Sequence, residues 1–127
     1  MTEDPGPIAY ARHALKDILA QAQAWPVITN IPPQLIPPCV VLTKGNPFVA
    51  QGDTAGGVRV TFKALLIAQP SDNEAIISRL DEETDTVITH LTAEGVPFSV
   101  DGYEAINAAD GQTYLAAALT IPLDLTL

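Results

Sequence analysis

Residues 26 to 38 carry five prolines: Pro26, Pro32, Pro33, Pro37 and Pro38. Each locks its own φ near about −65° and supplies no backbone N–H, so this stretch cannot be helix. Any fold must take 26–38 as an extended, partly polyproline arm. Cys39 to Leu42, directly after it, read as a short buried strand. The arm has two readings. It is a plain crossover into a sheet, or a stiff spacer that holds a strand where a neighbouring copy can reach it. Proline lowers the entropy of the unfolded segment and stops it from recruiting a stray strand, which suits either.

On the N-terminal side of the arm, Ile8, Ala11, Leu15, Ile18, Leu19 and Ala22 recur at helical spacing. Pro5 and Pro7 stand where a first turn accepts proline, and Pro26 closes the run, so 1–25 is read as an N-terminal amphipathic helix segment. Beyond the arm, 43–57 is broken by Gly45, Asn46, Pro47, Gly52, Asp53, Gly56 and Gly57, with Phe48 and Val49 as its bulky apolar pair. It reads as a flexible hairpin loop that reaches about 20 Å past a sheet. Val58 to Ala68 is the clearest strand: Val58, Val60, Phe62 and Ala64 alternate with Arg59, Thr61 and Lys63. Leu65, Leu66 and Ile67 then require cover on both faces.

Ser71-Asp72-Asn73-Glu74 matches a capping box with Ser71 as cap, and 71–94 reads as a long helix ended by Gly95 and Pro97. At about 22 residues it spans about 33 Å. Its stripe is Ile76, Ile77, Leu80, Thr84, Val87, Ile88 and Leu91, while Asp81, Glu82, Glu83 and Asp85 lie off it. The remainder reads as a meander, with Asp101-Gly102 as a hairpin turn and Asp110-Gly111 leading into a last strand that alternates from Leu115 to Leu127. Pro122 marks an edge or the end of regular pairing in it. An apolar edge there, Leu123 and Leu125 included, invites docking. The expected fold is therefore a single α+β domain over 1–127: a mostly antiparallel sheet with an N-terminal helix and one long central helix packed on one face.

Charge narrows the function classes. The net charge is −9, and the six basic residues, Arg12, Lys16, Lys44, Arg59, Lys63 and Arg79, are scattered. Such a chain has no means of neutralising a run of phosphates or holding an anionic membrane surface. Cys39, the single cysteine, can form no intrachain disulfide and sits among valines as a small hydrophobe. The opening Met-Thr-Glu-Asp-Pro is acidic where a secretory signal is basic, and no apolar run is long enough to span a bilayer. The expectation is a soluble protein used in a reducing cytoplasm.

Catalytic groups are sparse. His13 and His90 lie on different helices without a second ligand at a metal-binding spacing, and His90 reads as a helix-end residue. Ser71, Ser78 and Ser99 stand in no nucleophile-elbow context, and the glycines form neither a dinucleotide fingerprint nor a phosphate loop. Asp81, Glu82, Glu83 and Asp85 spread around a helix instead of converging as a cation cage requires. Arg59 and Lys63 form a modest positive stripe whose expected partners are carboxylates of this chain or of a neighbour. Trp25 reads as a core anchor at the helix exit, with an interface as the alternative. No enzyme, cofactor or metal is expected.

Length, the opening helix, "PPCVVL", "GVRVTFKALLIAQPSDNEAIISRLDEETDTVITHL" and "GQTYLAAALTIPLDL" together resemble tail terminator proteins of long-tailed bacteriophages. The likeness lies in element order and texture over nearly the whole chain. It implies an α+β subunit of a ring, usually six-membered, that stops tail-tube growth and presents a surface to the head connector. It also implies residence in the virion at the head-proximal end of the tail, and in host cytoplasm during assembly. DNA would pass through the ring without specific binding. Under that reading the interface residues are Pro32, Pro33, Pro37 and Pro38 on the arm, Phe48 and Val49 on the 43–57 hairpin, Arg59 and Lys63 on the strand, Asp81, Glu82 and Asp85 on the helix, and Leu123 and Leu125 at the end. Another head–tail connector or neck protein is the alternative, followed by a small cytoplasmic ligand-binding or enzymatic domain.

Overall fold

The structure, a computed structural model, describes residues 6–29, 35–52, 56–109 and 111–126. Its elements run α1 (Pro7–Ala22), β1 (Val27–Ile28), β2 (Cys39–Gln51), β3 (Gly57–Ile67), α2 (Asn73–Ala93), β4 (Ser99–Asn107) and β5 (Thr113–Thr126). The strands form one sheet in the order β1-β2-β3-β5-β4, antiparallel except for the short β1–β2 pair. This is the expected α+β architecture, with both helices on one face.

Strand β3 shows why. Its period-two pattern sends Val60, Phe62, Ala64 and Leu66 to the helical side, where they meet Val40 and Leu42 of β2 and Ala117, Leu119 and Ile121 of β5. The helices close this layer with Ala11, Leu15 and Leu19 from α1 and Leu80, Val87 and Leu91 from α2. Trp25, expected as a core anchor, joins the same cluster at 9% exposure.

The opposite face is apolar at one end only. There Cys39, Val41, Leu65, Ile67, Tyr114, Ala116 and Ala118 form a second cluster, with Leu35 buried against it. Leu35 belongs to the proline-rich arm, which accounts for the cover that Leu65 and Ile67 require. A stiff segment here lays one leucine over the sheet at small entropic cost. Pro32 and Pro33 lie outside the described residues; Pro37 and Pro38 are half-buried.

Several local expectations are corrected. The 43–57 stretch is strand for most of its length: β2 continues from Cys39 to Gln51 along β3, because β3 offers it a continuous ladder. The glycine, asparagine and proline that suggested a loop are taken up by a register break, in which residues 45–48 stand opposite Thr61 alone, between the pairs Lys44–Phe62 and Val49–Val60. Asp101-Gly102 is not a turn. Val100 pairs with Leu119 and Gly102 with Ala118, so Asp101 is the extra residue of a bulge inside β4, and Gly102 takes φ 123°. Both flanks pair with the long β5 in preference to each other. The cap of α2 is Asp72, whose Oδ1 accepts from the Ala75 N–H at 2.9 Å, one residue after the expected Ser71. Inside the proline arm, Val27 and Ile28 pair in parallel with Val40 and Val41, which had no sequence signal.

Gly45 is required by close approach. A Cβ there would lie 2.6 Å from Thr61 Cγ2 and 2.8 Å from the Thr61 carbonyl oxygen. Gly45→Ala is expected to destabilise the protein by about 1–3 kcal/mol, by forcing the hairpin strands apart. A lower urea midpoint with unchanged slope checks this; an unchanged midpoint would show that β2 does not press on Thr61.

Candidate assembly surface

The β2–β3 hairpin holds an aromatic pair that Arg12 ties to the helical layer. Phe48 meets Phe62 edge-on, with centroids 5.7 Å apart and planes at 76°. The Arg12 guanidinium of α1 sits 5.8 Å from the Phe48 centroid and 5.9 Å from that of Phe62. Phe48 is thus half-buried in its own chain, while Val49, its neighbour, is 42% exposed. Of the two apolar residues singled out on this segment, only Val49 faces outward. Arg12 gave no sign of its role, because its ring partners lie on strands remote in sequence.

Besides the outer edges of the end strands β1 and β4, two further stretches of strand edge face no neighbour among the described residues. β1 covers β2 only at Val40 and Val41, so among the described residues the outer edge of β2 from Leu42 to Gln51 faces no strand. β4 follows β5 only as far as Thr120, so β5 has a second open edge from Ile121 to Thr126. β5 is therefore interior for its first half and an edge for its second. Pro122, lacking a donor, stands where one neighbour has ended. Leu123 and Leu125 pack partly against the core and, with Tyr10, Ala14, Ile18 and Pro97, line a groove of about 410 Å³ beside α1.

The sheet face away from the helices carries the polar pairs. Arg59 Nε donates to Asp124 Oδ1 at 2.9 Å and Nη2 to Oδ2 at 3.4 Å, a two-pronged contact between directly opposed residues. Lys63 Nζ donates to Glu104 Oε1 at 2.8 Å, and Thr120 Oγ1 to Asp101 Oδ2 at 2.5 Å. The Arg59 hydrogen bond holds the Asp124 carboxyl below its ordinary range. Its contribution is therefore present at neutral pH and lost on acidification, though a pair this exposed is strongly screened. The expected carboxylate partners of Arg59 and Lys63 lie on the same chain; neither Asp124 nor Glu104 was singled out from the sequence, since only the β3–β5–β4 register brings them there.

On α2, Leu80, Thr84, Val87 and Leu91 are buried and Asp81, Glu82 and Asp85 exposed. Asp81 accepts a hydrogen bond from the Tyr103 hydroxyl, tying α2 to β4. Burial, and then that bond, keep the Tyr103 hydroxyl above its usual range. His90 Nε2 lies 3.9 Å from Glu94 Oε1 and has no hydrogen-bond partner, so its imidazole does not cap the helix carbonyls. Burial pushes the Cys39 thiol up, as suits an inert core sulfur.

Among the described residues no three His, Cys, Asp or Glu side chains converge as a metal site would require, and no helix is long and apolar enough to cross a membrane. No protein-family model matches the chain, and no curated protein matches it significantly.

Glu83 offers a test of the α2 packing. Burial raises its carboxyl above the ordinary range, against the opposing pull of Arg79, with Glu82 adding to the rise. The folded chain then holds this proton more tightly than the unfolded one, so stability is lost as pH rises through the folded value. Glu83→Gln is expected to raise the urea midpoint near pH 7 and to leave it unchanged at about pH 3, where both states are protonated. Equal midpoints at both pH values would show that Glu83 ionises as freely as in water.

Proposed function

We propose that this protein is a structural virion subunit of the tail-terminator type: it forms a ring with copies of itself, caps the phage tail tube to end its polymerisation, and offers its other side to the head connector. The observation that carries this reading is the pair of open edges at the hairpin end of the sheet. β2 exposes one from Leu42 and β5 another from Ile121, on opposite sides of β3. Contacts between two different surfaces of one chain are heterologous, and when the rotation closes they generate a ring. The register break at 45–48 and Pro122 interrupt both edges, which disfavours an open-ended ladder and favours a limited, closed contact.

Charge supports the same reading. A subunit of net charge −9 repels DNA, and the basic residues of β3 are occupied by Asp124 and Glu104. DNA would slide through such a ring without being held. The hairpin end of β2, with Val49 exposed, is the proposed contact with the tube. The ring would sit at the head-proximal end of the tail, after assembly in host cytoplasm.

Mass measurement and a capping assay test this together. Six copies of a 13.4 kDa chain make a ring of about 80 kDa, expected as the main species alone or on addition of tail tubes. Addition of the protein to growing tubes is expected to leave short, blunt tubes in electron micrographs. Val49→Asp should keep the fold and remove at least about 90% of capping, because a desolvated charge costs several kcal/mol at a contact. Tubes that grow unchecked would overturn the terminator reading, and a ring that binds only the connector would place the protein in the neck.

A further inference from the structure

A pocket of about 230 Å³ opens where the end of α1 meets the start of α2, lined by Trp25, Pro38, Gln69, Pro70, Ser71, Ala75, Ile76 and Arg79. Its composition runs against the chain. Fifteen of 127 residues are acidic, yet among the described residues no Asp or Glu lines this pocket, while four of its residues carry hydrogen-bond donors: Trp25, Gln69, Ser71 and Arg79. Arg79 forms no ion pair within 4 Å among the described residues, although its charge acts on the Glu83 carboxyl one turn further along α2.

Trp25 supplies the second observation. Its backbone is fixed by Gln23, whose amide donates to the Leu19 and Trp25 carbonyls at 3.0 Å and accepts from the Trp25 N–H at 2.5 Å. The residue is 9% exposed, and its indole N–H has no acceptor among the described residues. That N–H is nonetheless not among the sealed polar atoms, so it keeps access to solvent where Trp25 meets the surface. The donor is thus open to a ligand in place of water.

We infer that the pocket binds a carboxylate group. The Arg79 fork takes both oxygens, the Trp25 indole and Ser71 hydroxyl add donors, and the attached carbon rests on Pro38, Pro70 and Ile76. With Asp72 at the N-cap of α2, Glu74 in its first turn and Glu83 within reach of the Arg79 charge, a monoanion is favoured over a phosphate dianion. An acidic side chain or a chain end of a protein would present such a group. This inference does not rest on the ring: a protein that fails to cap tubes but binds carboxylates here keeps the site.

Trp25 is the only tryptophan, so nitrogen–proton spectra of the full chain show a single indole N–H. Titration with propionate, as side-chain mimic, and N-acetyl-leucine, as chain-end mimic, is expected to shift that signal to saturation; the tighter of the two identifies the source. Arg79 is exposed, and Arg79→Gln should leave the spectrum folded while weakening binding about tenfold or more. Arg79→Lys, which keeps the charge but not the fork, should fall between. Ser71→Ala, also at an exposed position, is expected to weaken binding a few-fold and serves if Arg79→Gln does not fold. A shift that follows sodium chloride at equal ionic strength without saturating would overturn the site. So would an unchanged curve in Arg79→Gln, or in Ser71→Ala and Arg79→Lys together. Phosphate saturating more tightly than both carboxylates would overturn the ligand assignment.

Discussion

Strand β3 is hydrogen-bonded on both edges, to β2 and to β5, and every residue from Gly57 to Ile67 has a partner on β5. Its side chains separate two environments. Val60, Phe62, Ala64 and Leu66 are sealed under the helices, while Arg59, Thr61 and Lys63 face the open side. Slipping this register by one residue would drive Arg59 and Lys63 into the helical core, at a desolvation cost no surface pairing offsets. The register in turn sets Arg59 opposite Asp124 and brings Phe62 beneath Arg12. Core, polar face and hairpin anchor are thus consequences of one strand's placement.

The two ends of the sheet differ in what they leave unfinished. At the end that carries Cys39 and Ile67, both faces are covered, by α2 and α1 on one side and by Leu35 on the other. At the hairpin end, β2 and β5 outrun their outer neighbours, and the far face carries the Arg59–Asp124 and Lys63–Glu104 ion pairs and the Thr120–Asp101 hydrogen bond. Surfaces of that kind are where contacts with other subunits form at least cost, since the polar groups stay paired and the backbone edges gain partners. The chemistry of the pocket at Trp25 lies at the other end of the molecule, near the start of α2. Apart from Pro38, which lines the pocket and belongs to the proline arm, the proposed assembly surface and the proposed carboxylate site use separate residues.

Much of the fold was legible because it rests on periodicity. The stripes of both helices, apart from Ile77, which is 40% exposed, the alternation of β3 and β5, and the need for cover over Leu65 and Ile67 follow from spacing alone. The candidate surface was less legible. Phe48 and Val49 are adjacent and similar in character, yet one is clamped by Phe62 and Arg12 and the other is exposed. Leu123 and Leu125 read as a bare edge, but α1 shields them in part. Glycine, asparagine and proline at 45–47, and Asp101-Gly102, have the composition of turns, and a long partner strand converted both into bulges. Turn propensity amounts to about 1 kcal/mol per residue, less than a continued ladder and its packed face supply.

By itself the sequence determined the α+β class, the two helices and most of their buried faces, the clearest strand, and a proline-rich stretch after the first helix that cannot be helix. These depend on local periodicity and on the covalent restriction of proline, which act whatever the surroundings. Tertiary structure alone decided which strands neighbour one another, where β2 and β5 are left open, and which carboxylates meet Arg59 and Lys63. It also decided that Trp25 and Arg79, 54 positions apart by their numbers, share one pocket. Those outcomes depend on register and on long-range packing, whose energies belong to pairs of distant residues and leave no mark on either one alone.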